Sequence, residues 1–183
     1  MTDAKAVIQA ALDVLQAGDL RAASAVVLQH AVKVTASEYG FFSVAMEGPF
    51  ERLLNVEGFH WHETDNRGFF EKAMASLEGL GYLDFLNVAN LAGRAITHNE
   101  IVLSNSPSND PRRAGIPLGH PPLDCFLGVP FRKQGAVVSV IGLANRLGGY
   151  GVAQQAEVEM LDEAARAIAE HYHRSRLATA YPL

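Results

Sequence analysis

The chain has 183 residues, of which 49% are hydrophobic and 19% are charged, a balance typical of a folded globular protein and too apolar for a disordered one. Its formal net charge of −5 gives no net attraction to the phosphates of nucleic acid. The single cysteine excludes an internal disulfide and a multi-thiolate metal site, and it favours a reducing, cytoplasmic setting.

The chain is expected to begin with two helices. Apolar residues at spacings of three and four predict the first helix over residues 3–17. The second follows with Asp19 as its N-cap and reaches about Ser37. After Gly40, strand-forming residues over 41–46 and about 50–59 predict an antiparallel hairpin.

The middle of the chain is less regular. Glycines interrupt the segment from Asn66 to Leu86, which is predicted to be mixed helix and loop, and a helix is predicted from Phe85 to Thr97. A short strand follows over 101–103. The run from Ser104 to Pro122 is rich in Ser, Asn, Pro and Gly, so it is predicted to be mostly loop.

Two strands and a long helix are predicted at the end. The strands Leu123–Phe131 and Ala136–Ala144 are joined by a polar turn over 132–135, and a helix is predicted over 153–176. This helix carries a heptad seam that can pack on its own sheet or on a partner helix. The seam consists of Val158, Leu161, Ala165, Ile168 and Tyr172. The element order describes an α+β domain with an antiparallel sheet.

The block from Gly119 to Tyr150 resembles bacterial GAF domains, as found in sensor histidine kinases and cyclic-dinucleotide enzymes. The residues that carry the resemblance are Gly119-His120-Pro121-Pro122-Leu123, Phe126-Leu127-Gly128-Val129-Pro130-Phe131, Val140-Ile141-Gly142-Leu143-Ala144-Asn145-Arg146 and Gly148-Gly149-Tyr150, with Gly93-Arg94-Ala95-Ile96 and Val102-Leu103-Ser104-Asn105 upstream. With the element order the resemblance covers about residues 20–175, and we expect one GAF domain over 1–183.

The resemblance implies a GAF/PAS-like fold. Its central six-stranded antiparallel sheet would have the N- and C-terminal helices on one face and a ligand pocket under loops and short helices on the other. The pocket-side candidates are Phe85, Asn105, His120, Cys125 and Phe126. His120 lies in the Pro-rich loop that the family places at the pocket entrance, where a loop-fixing hydrogen bond is the alternative role.

Cys125 is the only thiol. The neighbouring Asp124 would raise its pKa, so a packing role is favoured over catalysis. GAF-type free methionine sulfoxide reductases use several cysteines, and bilin-binding GAF domains use a cysteine commonly followed by histidine. Here Phe126 follows, which disfavours both activities.

His60 and His62 flank Trp61 and would point to one side of an extended segment. Two imidazoles are too few for a tight metal site, so exposed or pocket-rim positions are favoured over a metal or haem edge. We therefore expect no metal site and no catalytic residues.

The resemblance, together with the heptad seam, implies a small-molecule-sensing regulatory domain, not an enzyme, that couples ligand binding to terminal helices in a homodimer. The ligand and any cofactor are unidentified, an output domain is expected in a longer protein, and neither nucleic acid binding nor membrane insertion is expected. The first alternative is a ligand-free dimerisation module with a side-chain-filled pocket. Others are a haem or gas sensor using His60, His62 or His120, and a redox enzyme at Cys125.

Overall fold

The computed structural model describes residues 3–46, 52–59, 75, 82–85, 88–115, 120 and 122–180, with the backbone alone for 52–59, 83–85 and 177–180. The helices are α1 (Ala4–Gln16), α2 (Leu20–Thr35), α3 (Leu91–Thr97), α4 (Val152–Glu159) and α5 (Asp162–Ala180). The strands are β1 (Tyr39–Met46), β2 (Arg52–Phe59), β3 (Leu83–Phe85), β4 (Val102–Ser104), β5 (Phe126–Lys133) and β6 (Ala136–Ala144). The histidines at 60 and 62 lie outside the described residues.

These strands form one sheet in the order β3-β2-β1-β6-β5-β4. Every neighbouring pair is antiparallel. The predicted α+β class with an antiparallel sheet is confirmed. The strand β3 was missed, because three residues are too few to show the alternation that identifies a strand.

The β5–β6 hairpin is tighter than predicted. Gln134 (φ 52°) and Gly135 (φ 86°) both lie in the left-handed region, which is the backbone of a two-residue hairpin turn whose twist matches that of the strands. Strand β5 therefore continues to Lys133, whereas at its other end it begins at Phe126 and not at Leu123. The predicted bounds of β6 are confirmed.

The terminal helices cover one face of the sheet, and their buried side chains form its larger core. Asp19 caps α2 as predicted, since its Oδ1 accepts a hydrogen bond from the Ala22 backbone at 2.9 Å. The core on this face, which we call the helix-side core, includes Val27, Leu28, Phe42, Cys125, Leu127, Ile141, Tyr150 and Ile168.

The C-terminal helix differs from the prediction, because Met160 and Leu161 interrupt it and separate α4 from α5. Asp162 and Glu163 open α5, where negative charge stabilises a helix N-terminus. The heptad seam nevertheless continues across the break. Its five residues all belong to the helix-side core and none is more than 9% exposed. The seam therefore packs on the sheet of its own chain and not on a partner helix, the two possibilities that the sequence left open.

Helix α3 lies against the opposite face. It begins at Leu91 and not at the predicted Phe85, because Asn90 supplies the N-cap: its Oδ1 accepts a hydrogen bond from the Gly93 backbone at 2.8 Å. Its buried Leu91 and Ala95 pack with Phe126. None of the helices among the described residues is both long and apolar enough to span a membrane.

His30 gives the helix layer a pH-dependent stability. It is 7% exposed on α2, and burial lowers its pKa although Glu157 opposes the shift. In acid the unfolded chain takes up this proton before the folded chain does, so stability should be complete above about pH 6.5 and fall below it. Urea titrations of the wild type and His30→Gln between pH 8 and 5 should show the wild type losing more stability. A difference that stays constant with pH would contradict this assignment.

Candidate functional site

The face of the sheet that carries α3, called here the α3 face, is separated from the helix-side core by strand alternation. Phe126 packs with α3, whereas Leu127 belongs to the helix-side core. Cys125 lies on the side of Leu127. Two adjacent predicted pocket residues, Cys125 and Phe126, therefore lie on opposite faces.

Two paired glycines form a hollow at the centre of the α3 face. Gly128 and Gly142 are directly opposite each other in the β5–β6 ladder. A Cβ added at Gly142 would overlap the ring of Phe41, and one added at Gly128 would lie 3.0 Å from Cε1 of Phe126. The Phe41 and Phe126 rings are stacked, with centroids 6.4 Å apart. The protein's own aromatic rings thus occupy this hollow.

A polar corner lies at the start of β1. The hydroxyl of Tyr39 donates to the carbonyl oxygen of Pro122 at 3.4 Å, and the His120 ring meets the Tyr39 ring edge-on with centroids 6.4 Å apart. Burial, reinforced by Glu38, raises the pKa of Tyr39, so its hydroxyl stays protonated. The corner thus combines a buried, neutral phenol with an imidazole that is partly exposed.

Asn145 holds the loop that leads into this corner. Its Oδ1 accepts from the Asp124 backbone at 2.9 Å, while its Nδ2 donates to the Pro122 carbonyl at 3.0 Å and to Glu38 Oε2 at 2.8 Å. Its φ of 59° is a left-handed conformation that asparagine tolerates better than most residues. Neither Tyr39 nor Asn145 was predicted as a site residue, although an asparagine directly after an apolar strand is an available signal.

Cys125 is held between backbone groups. Its sulfur accepts from the Arg146 N–H at 3.2 Å and donates to the Arg146 carbonyl oxygen at 3.4 Å. The side chain is 3% exposed, and burial raises the pKa of the thiol. The thiol is therefore protonated at neutral pH, which is the unreactive form.

A depression of about 370 Å³ lies beside the edge strand β4, among residues 103–111. Its charged member is Asp110, whose two carboxylate oxygens accept from the Arg112 guanidinium at 2.9 and 2.8 Å. Hydrogen bonds from Arg112 and Ser104 hold the pKa of Asp110 well below its usual range. Asn109 donates to the hydroxyl oxygen of Ser106 at 3.0 Å. The polar groups named here are thus paired with one another.

Asn105 also lines this depression, but both ends of its amide bind Tyr150. Oδ1 accepts from the Tyr150 N–H at 2.7 Å, and Nδ2 donates to the Tyr150 carbonyl oxygen at 2.9 Å. The amide therefore holds the loop after β4 against the turn before α4.

The structure places the five predicted pocket residues in different parts of the sheet. Phe85 is on the edge strand β3, and Asn105 follows the opposite edge strand β4. His120 contacts Tyr39 and Phe126 packs under α3, whereas Cys125 is on the helix side. In the described part of the chain no group of three or more His, Cys, Asp or Glu side chains is placed to hold a metal ion.

Comparisons with known proteins identify relatives of this architecture. The family description "GAF domain" matches residues 17–171. The GAF domain of an Acinetobacter phosphoenolpyruvate-protein phosphotransferase is 16% identical, with a TM-score of 0.67 over 93% of this chain and 92% of that chain. Its Coxiella burnetii counterpart is 13% identical, with a TM-score of 0.67 and 97% of each chain covered.

A third structure similar to this chain is an enzyme. The free methionine-R-sulfoxide reductase from Neisseria meningitidis, solved with its substrate, is 13% identical, with a TM-score of 0.59 over 97% of this chain and 95% of that chain. At this identity the likeness shows the fold alone. No curated protein sequence matches the chain.

Proposed function

The chain belongs to the GAF domain family, and from this premise we propose that it is a regulatory domain that senses a small molecule on the α3 face and transmits its presence to the terminal helices. The observation that carries this proposal is the division of the sheet into two faces. The rings of Phe41 and Phe126 lie on the α3 face, and the terminal helices cover the other face. Tyr39, which forms the polar corner with His120, precedes Phe41 by two residues in β1.

The ligand chemistry follows from the groups of the polar corner and from the aromatic rings of the α3 face. A neutral phenol, an imidazole and two stacked aromatic rings suit a small ligand with one flat apolar part and one hydrogen-bonding part. Such a ligand would take the place of the Phe41 ring over Gly142 or lie beside it. The buried, protonated Cys125 supports a regulatory role over a redox role, since catalysis by a thiol requires its thiolate.

A thermal-shift screen of nucleotides, amino acids, nitrate and haem tests the sensing function. A ligand at about 100 times its Kd stabilises the folded state by about 2.7 kcal/mol, which corresponds to a rise in Tm of roughly 5–10 °C for a chain of this size. We expect His120→Ala to reduce the shift. His98→Ala should preserve it, because His98 is exposed at the end of α3. The absence of a shift with every compound would contradict the proposal.

The second candidate function is a ligand-free dimerisation module, and the filling of the Gly128–Gly142 hollow by Phe41 and Phe126 favours it. We propose that a homodimer would use the outer surface of α4 and the turn before it, since the heptad seam is buried. Leu147, Val152 and Met160 are exposed there, at 95%, 78% and 55%. A stable dimer in a solution mass measurement, together with no thermal shift, would favour this function over sensing.

A further inference from the structure

Tyr150 joins three elements of the fold. Its backbone N–H and carbonyl oxygen both bind the Asn105 amide, at 2.7 and 2.9 Å. The Asn105 amide lies close against the backbone of Gly149, because a Cβ added at Gly149 would lie 2.6 Å from the Asn105 Oδ1. Gly149 has a φ of 78°, which also favours glycine. The loop after β4 is thus fixed to the residue that precedes the N-cap of α4.

The phenol of Tyr150 extends into the helix-side core, where the residue is 4% exposed. Its hydroxyl is 2.7 Å from Ser37 Oγ, and that oxygen is 2.7 Å from Thr35 Oγ1. Thr35 in turn donates to the carbonyl oxygen of Ala31 in the last turn of α2, at 2.6 Å. A continuous line of hydrogen bonds therefore runs from the loop after β4 to the C-terminal end of α2.

Tyr150 is also next to the start of α4. Gly151 is the N-cap of that helix, and its N–H donates to Gln154 Oε1 at 3.0 Å. A shift of Tyr150 would therefore act on the end of α2 and on the beginning of α4 together. Thr35 and Tyr150 are buried and Ser37 is partly exposed between them. The line resists such a shift, because a buried hydroxyl left without a partner is costly.

We propose that the line Asn105–Tyr150–Ser37–Thr35, called here the Tyr150 junction, couples the position of the loop after β4 to the ends of α2 and α4. A role of the Tyr150 junction in signalling rests on the proposed function. Asn105 acts in it as a positioning residue, because both ends of its amide are engaged by Tyr150. A ligand that displaces the loop would loosen the helix ends, and by linkage a change at the helix ends would alter the loop.

Hydrogen exchange on the ligand-free protein tests the junction. Asn105→Ala removes both bonds to Tyr150, and we expect it to speed exchange of the Ser37 amide, which donates to the Val32 carbonyl, by about fivefold or more. Tyr150→Phe removes only the hydroxyl and should speed exchange of the Asn109 and Asp110 amides in the loop. Asn109→Ala is the matched control for the exchange of the Ser37 amide, because the side chain of this exposed asparagine donates to Ser106 and not to Tyr150.

The double variant Asn105→Ala/Tyr150→Phe completes the test. We expect its effect on the unfolding equilibrium to differ from the product of the single effects by about threefold or more. Unchanged Ser37 exchange in Asn105→Ala, or independent effects in the double variant, would overturn the junction. If Asn105→Ala does not fold, the junction is tested by the exchange of the Asn109 and Asp110 amides in the conservative Tyr150→Phe variant, and unchanged exchange there would overturn it. Neither result depends on a ligand, so a failed ligand screen would reject sensing and leave this inference standing.

Discussion

Replacing Ile168 with alanine is expected to lower the free energy of unfolding by about 2–5 kcal/mol. Ile168 is fully buried and belongs to the helix-side core, and its helix α5 contacts α1, α2 and the sheet. Alanine would remove three carbon atoms and leave a cavity that the surrounding side chains fill only in part. Urea denaturation followed by circular dichroism measures the loss.

Val152→Ala is the control for this prediction, because Val152 is 78% exposed at the start of α4. A surface change of this kind should alter stability by less than about 0.5 kcal/mol. Ile168→Ala should keep the oligomeric state of the wild type. If Ile168→Ala instead dissociated an oligomer while its unfolding free energy was unchanged, the seam would belong to an interface between chains.

Gly93→Ala is expected to destabilise the chain by about 2 kcal/mol or more, although helix propensity alone predicts a gain of about 1 kcal/mol. The reason is that the added methyl group would collide with the backbone of the segment before α3. A Cβ at this position would lie closer than 3.0 Å to three backbone atoms of Val88, its carbonyl oxygen, Cα and carbonyl carbon. Helix α3 or the segment before it would have to move away from the α3 face. Thermal unfolding should show a Tm lowered by roughly 4–8 °C.

Gly151→Ala provides the comparison. Gly151 also lies at the start of a helix, but its backbone is extended and a Cβ there would be 3.7 Å from its nearest neighbour, Gln154 Oε1. We expect a loss of less than about 1 kcal/mol, from the weaker N-cap. Equal stability of Gly93→Ala and wild type would mean that the segment before α3 moves without cost.

The elements that were predicted correctly are those with a strong signal in their own residue types. The nine residues of β6 are apolar and strand-forming throughout, and Asp19 is a strong N-cap, so both were predicted correctly. Strand β3 and the interruption at Met160 were missed. Three residues carry too little periodicity to identify a strand, and an uninterrupted heptad pattern does not reveal a break in the helix that carries it.

The candidate site was less predictable than the fold. Placing Cys125 and Phe126 together assumed that neighbours in sequence share a pocket, whereas a strand directs successive side chains to opposite faces. Asn105 was predicted as a pocket-side residue, and in the structure both ends of its amide bind Tyr150. Its partner is 45 residues away in Tyr150, and no local pattern identifies a hydrogen bond over that separation.

The sequence by itself determined the family, the α+β class and the strands of the β5–β6 hairpin, because these depend on residue type, periodicity and turn chemistry within short segments. Only the tertiary structure decided that the heptad seam lies in the chain's own core, that Cys125 and Phe126 are on opposite faces, and that the Asn105 amide holds Tyr150. The physical reason is that burial and hydrogen-bond pairing depend on segments far apart in the chain. A seam has the same spacing whether it covers its own sheet or another helix.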